Sequence, residues 1–390
     1  MKIDNVKIKN FKSLRNIDIN LSNLTLITGV NSTGKSSFIQ AILLLKQNIH
    51  NLQQITTYNM LNTDNSKNQE MLKYFAKMNE NITLLLDGEY VSLGNKKDIL
   101  YQEVFEEDID IEIYSKDVYL KTHYNNKLEI NIEITDTITY LLFNLFQKDF
   151  QYIMTDRVSP SITYPLSELN IKNNLIGFRG EYTAHYLAEN RHKILEIDDL
   201  KHKNSETSQL LENVSLWLSE ISSGIDIDST INPAQNNVTL TYRYKYSNGI
   251  TNKYNPLNVG FGITYVLPII VAILKSKPND LLIIENPESH LHPKGQSKIA
   301  ELCAIASANG VQIIVETHSE HFLNGIRIAT KKEKDLLTPE QSKVYYFRKE
   351  KDELETKIDE INIDKDGGID SYPKGFFDQF DEDLDKLITW

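Results

Sequence analysis

Hydrophobic and polar positions alternate from the first residues. Lys2-Ile-Asp-Asn-Val-Lys-Ile-Lys-Asn-Phe11 and Ile17-Asp-Ile-Asn-Leu21 predict half-buried strands of a meander, because alternation puts every second side chain on one face of a sheet. Leu24–Thr28 predicts a short apolar strand. Gly29–Ser37 reads as a loop, and Ser37–Asn48 as a helix with Ile39, Ile42, Leu43 and Lys46 at helical spacing. Residues 50–80 are rich in Asn, Gln, Lys and Thr without clear period, and predict a surface excursion. Alternation returns at Ile82–Leu86, Ile109–Tyr114, Val118–Tyr124 and Leu128–Ile134. It returns again at Val238–Tyr246, with Tyr242, Tyr244 and Tyr246 on one side. Residues 137–152 and 181–222 predict mostly helix.

Beyond residue 260 the pattern becomes strand–helix–strand. Val266–Leu274 is an apolar helix, and Asp280–Glu285 and Val311–Glu316 are buried strands. Pro293–Asn309 is a helix with Pro in its first turn and Gly310 after its end, and His321–Thr330 is another. Two uninterrupted apolar strands with helices between them imply a parallel sheet covered on both faces. The chain shows no repeat and no sustained heptads, so no long coiled coil is expected.

At 390 residues, two to three domains are expected. One cysteine, Cys303, excludes a disulfide scaffold and a Cys-rich zinc module, and suits a reducing cytoplasm. Met1-Lys-Ile-Asp opens without a signal-peptide run. The longest apolar stretches, Ile138–Phe146 and Val266–Leu274, fall short of the ~20 residues that cross a bilayer. A soluble protein with no membrane partner is expected. The net charge of −12 is unevenly spread. Residues 350–390 hold fourteen Asp/Glu against five Lys/Arg, so the rest of the chain sums to only −3. Residues 1–50 are basic, with seven Lys/Arg against two Asp. This balance argues against wholesale nucleic-acid binding and leaves room for a local basic groove.

Gly29-Val-Asn-Ser-Thr-Gly-Lys-Ser36 fits G-x-x-x-x-G-K-[ST] at every fixed position, between an apolar strand and a helix. Small residues let consecutive backbone N–H groups wrap phosphates, and the helix N-terminus adds partial positive charge. Asn31, Ser32, Thr33, Gly34, Lys35, Ser36 and Ser37 are the candidate ATP-binding residues. Lys35 reaches the β- and γ-phosphates, and the Ser36 hydroxyl ligates Mg²⁺. Leu281-Leu-Ile-Ile-Glu285 supplies a second strand ending in a carboxylate, so Glu285 is the metal-side acid. The next strand ends Val315-Glu-Thr-His318, and a histidine there can donate to a transferring phosphoryl oxygen. His290, His292 and His321 lack a nearby Cys and zinc-type spacing.

Together these residues resemble the head of the ABC-type ATPases of the SMC, RecF and OLD group. The resemblance rests on Asn10-Phe-Lys-Ser13, the P-loop, Glu285-Asn-Pro-Glu-Ser-His-Leu-His-Pro293 and Glu316-Thr-His-Ser319. A closer resemblance, over nearly the whole chain, is to a family of small bacterial AAA/ABC ATPases with a short uncharacterised C-terminal domain. It is carried by Ser36–Gln47, Gly88–Gly94, Asp156-Arg-Val-Ser-Pro160, Ile176–Glu181, Asn258–Pro268 and Tyr372–Asp378. The Septu-type anti-phage defence ATPase is similar in layout.

The resemblance implies an α/β fold: an ABC-ATPase head with a P-loop core sheet, an N-terminal antiparallel β-subdomain and an inserted helical lobe. The implied order is the first half of the head at 1–135, a mainly helical insertion at 136–236, the second half at 237–340 and a small acidic C-terminal domain at 341–390. It also implies ATP and Mg²⁺ sandwiched in a homodimer or higher oligomer, and a nuclease or other effector as partner. The signature segment Val259–Thr264 would face the partner's γ-phosphate through Gly260, Phe261 and Gly262. Gly260 stands where the family has serine, leaving backbone N–H groups, Asn258 or Thr264 for the contact.

A second departure is Asn286, which stands where the catalytic glutamate is usual. An amide can position water but cannot take its proton, so Glu288 is the substitute base and slow hydrolysis is expected. Arg157, Arg179 and Glu181 read equally well as an internal polar network, as DNA-facing contacts, or as salt bridges bracing the inserted lobe. Gln40 and Gln47 read as structural. Asp364, Asp366 and Asp370 read as turn residues. Three functions compete: the ATPase subunit of a defence complex that acts on nucleic acid through an effector, a RecF-like DNA-repair ATPase, and a slow ATP-dependent scaffold.

Overall fold

A computed structural model describes residues 1–53, 82–102, 107–135, 139–331 and 336–388. The excursion expected at 50–80 therefore lies almost wholly outside the described residues. The strands are β1 (Asn5–Phe11), β2 (Leu14–Asn20), β3 (Leu24–Gly29), β4 (Ile109–Ser115), β5 (Val118–Tyr124), β6 (Ile130–Ile134), β7 (Gln151–Ile153), β8 (Ile225–Asn232), β9 (Asn237–Tyr246), β10 (Gly249–Ile250), β11 (Leu281–Glu285), β12 (Gln312–Glu316), β13 (Ser342–Arg348) and β14 (Lys357–Ile361). The helices are α1 (Lys35–Gln47), α2 (Lys96–Ile99), α3 (Glu168–Lys172), α4 (Thr183–Asn190), α5 (Leu210–Ile221), α6 (Phe261–Leu274), α7 (Pro293–Ala308), α8 (Glu320–Thr330) and α9 (Gln379–Ile388). Two compact units result. One comprises Met1–Leu21, Asn31–Gln147 and Phe347–Ile358, the other Ser22–Val30, Lys148–Tyr346 and Asp359–Trp390.

The first unit holds an antiparallel sheet of order β2-β1-β4-β5-β6. Its register sets Val6 opposite Ile19 and Ile113, and Ile8 opposite Ile17 and Ile111. All six are buried, so the alternation seen in the sequence becomes one apolar face. Helix α1 buries Phe38, Ile39, Ile42 and Leu45, and Phe38 meets Phe347 edge-on at 6.1 Å. Ile82–Leu86, expected as a strand, makes a single bridge, Thr83 to Glu129. The end of α1 takes the backbone instead. Leu85 N–H donates to Asn48 Oδ1 at 2.8 Å, and Leu85 O accepts from Gln47 Nε2 at 2.9 Å. Gln47 Oε1 also accepts from the N–H groups of Tyr90 and Val91, so its role is structural, and Gln40 accepts from Lys12 at 2.7 Å.

The second unit holds a six-stranded sheet of order β14-β13-β3-β12-β11-β7, in which β3, β12, β11 and β7 run parallel. Every residue of β3 is buried. Helix α6 is apolar all round, with twelve of its fourteen residues buried, as befits a helix enclosed within the core. A separate antiparallel sheet has order β10-β9-β8.

Two stretches expected as helix differ. Of residues 137–152, those from 139 on are described, and they give short 3₁₀ turns at Thr139–Leu142 and Asn144–Phe146, and then strand β7. Gln151 is 1% exposed, and its amide bonds Gly177 O and Ile176 N–H, so tertiary pairing fixes it as strand. Within 181–222, α4 and α5 are separated by Arg191–Gln209, where Leu195 N–H bonds Ser208 O and Leu210 N–H bonds Lys193 O. Polar side chains such as His202, which accepts from the Asn204 N–H, and Ser205, which donates to Thr207 O, offer the backbone local alternatives to helix there.

The stretch 341–390, expected as a small acidic domain, contributes β13 and β14 to the main sheet, with β13 directly beside β3. Asp364 accepts from the N–H groups of Asp366 and Gly368, both at 2.8 Å, and Asp370 caps Asn362; both are turn residues.

A charged cluster marks the amino end of β11. Lys277 pairs with Asp149, and Asp280 accepts from Lys277 N–H at 3.0 Å. Burial pushes the Asp280 carboxyl up to about 6. The folded chain then holds more protons here than the unfolded chain between pH roughly 4 and 6, so this stabilisation is full below that window and lost as pH rises through it. Asp280→Asn is expected to flatten that slope and to raise stability at pH 7 by about 1 kcal/mol, discounted for partial exposure. Urea unfolding between pH 4.5 and 7 checks this. A variant that keeps the wild-type slope assigns the titration to another group.

Candidate functional site

Parallel strands present all their carboxyl ends at one edge. The register sets Ile27 beside Glu316, Glu316 beside Glu285, and Ile284 beside Ile153. Gly29, Glu285, His318 and the Met154–Arg157 segment therefore leave this sheet at a common edge.

At that edge the Glu285 carboxylate is held from β7. Oε1 accepts from Tyr152 OH at 2.9 Å, and Oε2 accepts from the Thr155 hydroxyl at 2.9 Å and its N–H at 3.2 Å. Burial and the facing Glu285 push the Tyr152 phenol above its usual range, so it stays a donor. Asn286 adopts a left-handed φ of 44°. Its N–H donates to Glu316 O at 2.7 Å, its Nδ2 donates to Thr155 Oγ1 at 3.0 Å, and its Oδ1 is buried without a partner. Glu288 Oε1 accepts the His318 backbone N–H at 2.8 Å, while Oε2 is buried without a partner. The His318 residue is itself exposed. Two buried acceptors with no protein donor suit a hydrated cation and an attacking water, so these residues fit the Mg²⁺ that the sequence implies.

Arg157 lies beneath this turn, 1% exposed. Its Nη2 donates to Glu285 O and to Asn286 O at 3.0 Å, and its guanidinium sits 4.7 Å from the Tyr265 ring. Burial pulls its pKa down to about 10. Tyr265 OH donates to Thr155 O and accepts from Arg157 N–H at 3.2 Å, tying α6 to the same turn. Of the readings open for this group, the internal network holds for Arg157. Arg179 pairs with Asp156 at 3.0 Å, and Glu181 accepts from Arg179 N–H.

The expected signature segment opens α6. Gly260 and Phe261 are exposed at its start. Phe261 stacks on Tyr265 at 5.3 Å and meets His290 edge-on at 4.7 Å. A Cβ on Gly262 would sit 2.3 Å from His290 O, so glycine is required where the two segments touch. Asn258 is exposed. Thr264, offered as a phosphate contact, is 3% exposed and faces the Tyr242 hydroxyl at 3.5 Å. It points into the core because it lies one turn inside an all-apolar helix.

Gly29 and Val30 belong to the unit of the parallel sheet, whereas Asn31–Ser37 belong to the other unit. There Gly34 (φ 99°) precedes α1, and no side chain caps the helix. The amino end of a helix carries partial positive charge, which favours an anion there. Thr33, Gly34 and Lys35 are buried, while Asn31, Ser32 and Ser36 are exposed and Ser37 is half-buried.

Sequence reasoning missed Tyr152, Thr155 and Tyr265 as the groups that hold the Glu285–Asn286 turn. Thr155 directly precedes the quoted Asp156–Pro160 segment, and Tyr265 lies inside Asn258–Pro268, but nothing in the spacing assigned them partners.

The family described as "AAA domain, putative AbiEii toxin, Type IV TA system" matches residues 24–324. "Protein of unknown function (DUF3696)" matches residues 337–387. The comparison with curated proteins gave no match. Among solved structures, an SMC head bound to the C-terminal winged-helix domain of ScpA is similar at 12% identity and a TM-score of 0.52, covering 93% of this chain and 99% of that one. An SMC head with an extended coiled coil from Pyrococcus furiosus, bound to the C-terminal domain of ScpA, gives 11% identity and a TM-score of 0.48, covering 100% of both chains. At such identities the likeness speaks for the fold alone, and of these two only the first exceeds a TM-score of 0.5. Among the described residues no helix is long and apolar enough to cross a membrane. The fold is that of an SMC/ABC-type ATPase head, the family match supports an ATP-binding ATPase, and the chain belongs to the AAA domain family described as putative AbiEii toxin of type IV toxin–antitoxin systems.

Proposed function

We propose that this protein is an ATP-binding head that hydrolyses ATP slowly and pairs with a second copy when nucleotide is bound. The reading is carried by one observation: Gly29, which starts the P-loop, leaves the parallel sheet at the same edge as Glu285, Glu288 and His318. Asn31–Ser37 would hold the phosphates, with Lys35 on the β- and γ-phosphates and Ser36 and Glu285 on the Mg²⁺ side. Bound Mg²⁺ would supply charge neutralisation on the phosphates. Both Glu285 oxygens already accept hydrogen bonds, which fixes the position of that carboxylate. Asn286 orients water without taking its proton, and Glu288 Oε2 is the acceptor left for it. His318, exposed at this edge, would donate to the γ-phosphate. Gly260, Phe261 and Gly262, at the open start of α6, would meet the nucleotide of the partner copy.

In this reading the ATP-bound dimer is a switch, and the protein is the sensor subunit of an anti-phage defence complex that acts on nucleic acid through a nuclease or other effector. The toxin–antitoxin description of its family supports a role beside a partner protein. The solved SMC head bound to a domain of ScpA supports a head that recruits one. Mass measurement in solution tests the switch. The mass is expected to double with ATP and Mg²⁺ and to return to the starting value as ATP is consumed. A mass indifferent to nucleotide, in a protein that binds ATP, rules the switch out. Binding to duplex DNA at stated salt without any partner would favour a repair ATPase instead.

A further inference from the structure

The P-loop meets a residue from the far end of the chain. Thr356, within the C-terminal family match at 337–387, is 2% exposed. Its hydroxyl oxygen lies 2.8 Å from Thr33 O and 2.8 Å from Ser13 Oγ, and its N–H donates to Ser13 O at 2.9 Å. A hydroxyl has one proton to give, and a carbonyl can only accept. Thr356 therefore donates to Thr33 O, and Ser13 donates to Thr356. The next residue, Gly34, is left-handed, and a Cβ there would lie 2.5 Å from Thr356 Oγ1 and 2.8 Å from Ser13 Oγ. Thr356 thus occupies the space that a side chain at position 34 would fill. In a trans peptide the C=O and the following N–H point in opposite directions. Anchoring Thr33 O on Thr356 therefore turns the Gly34 N–H the other way. In the other unit, Phe376, Phe377 and Asp378 of the same C-terminal match line a cavity of about 250 Å³ together with Gly29, Val30 and His318.

We propose that the C-terminal segment shapes the nucleotide loop, with Thr356 as the positioning residue that fixes the Thr33–Gly34 peptide so that its N–H faces the phosphates of a nucleoside triphosphate. The role rests on the nucleotide reading above. A carbonyl released from Thr356 could turn toward the phosphates and repel them, so loss of the hydroxyl acts on affinity as well as on stability.

The test measures Mg-ATP affinity by calorimetry on the full chain, at a temperature where circular dichroism shows every variant folded. Thr356→Val keeps the shape and removes the donor, and is expected to raise Kd about tenfold. Thr356→Ser keeps the donor and is expected to stay within about twofold of wild type, a rescue that packing alone would not give. Should Thr356→Val not fold, Ser13→Ala decides: it frees the Thr356 hydroxyl from its orienting donor and is expected to raise Kd about threefold. Wild-type affinity in folded Thr356→Val, equal losses in the Val and Ser variants, or, where Val does not fold, an unchanged Ser13→Ala, overturns the role. If wild type binds Mg-ATP and Lys35→Met does not, such a result removes only the Thr356 role. If wild type itself does not bind, the nucleotide reading falls first.

Discussion

Glu288→Gln is expected to lower the single-turnover rate of ATP hydrolysis by at least about a hundredfold while leaving Mg-ATP affinity within about twofold. The substitution is conservative where the fold needs Glu288. Gln can still accept the His318 N–H that Glu288 Oε1 accepts at 2.8 Å, so the turn after β11 keeps its anchor. It removes the other oxygen, Oε2, which is buried without a partner and is the basic atom left at an edge where Asn286 offers only an amide. If proton transfer runs through Glu288, the variant should hold the ATP-dependent dimer longer than wild type. Rapid-quench assays with excess protein measure the rate, and mass measurement reads the dimer lifetime. Unchanged turnover in a variant that still binds ATP would remove Glu288 from the reaction and leave slow, uncatalysed proton transfer to water.

Lys35→Met should raise the Kd for Mg-ATP at least about a hundredfold, since a charge-assisted contact to phosphate is worth roughly 3 kcal/mol in a buried setting. Lys35 is 3% exposed and directly follows the left-handed Gly34, so its ammonium leaves from the first turn of α1. Methionine keeps the length of the stem, so the melting temperature without nucleotide should move by no more than a few degrees. In wild type, millimolar ATP with Mg²⁺ should raise that temperature, because a ligand that binds only the folded state stabilises it; in Lys35→Met the rise should vanish. A thermal shift of equal size in both proteins would place ATP somewhere other than the loop at 29–36.

Much of the fold was legible because it is written in short-range pattern. The N-terminal strands alternate with period two, and the register confirms one buried face through Val6, Ile8, Ile17 and Ile19. The apolar strands β11 and β12 and helices α7 and α8 also stand within a residue of where the sequence put them, whereas α6 begins five residues earlier, at Phe261. Strand β7 was not legible. Three residues carry no measurable period, and Gln151-Tyr-Ile is a strand only because β11 lies alongside it. Strands β13 and β14 went unread because 341–390 was expected as a small domain of its own, whereas tertiary pairing puts both in the main sheet.

The sequence by itself determined the chemistry at hand: a glycine-rich loop ending in Lys35 and Ser36, a carboxylate closing an apolar strand at Glu285, an amide at 286 with a second carboxylate at 288, and a histidine closing the next strand. These depend on neighbours within a few residues, and local spacing is enough to specify them. Only the tertiary structure decided how those groups are held. Tyr152 reaches Glu285 across 133 residues of chain, Arg157 reaches the Glu285 and Asn286 carbonyls across 128 and 129, and Thr356 reaches Thr33 across 323. A hydrogen bond needs its two atoms within about 3 Å, and nothing in a linear pattern records which distant hydroxyl the folded chain will bring there.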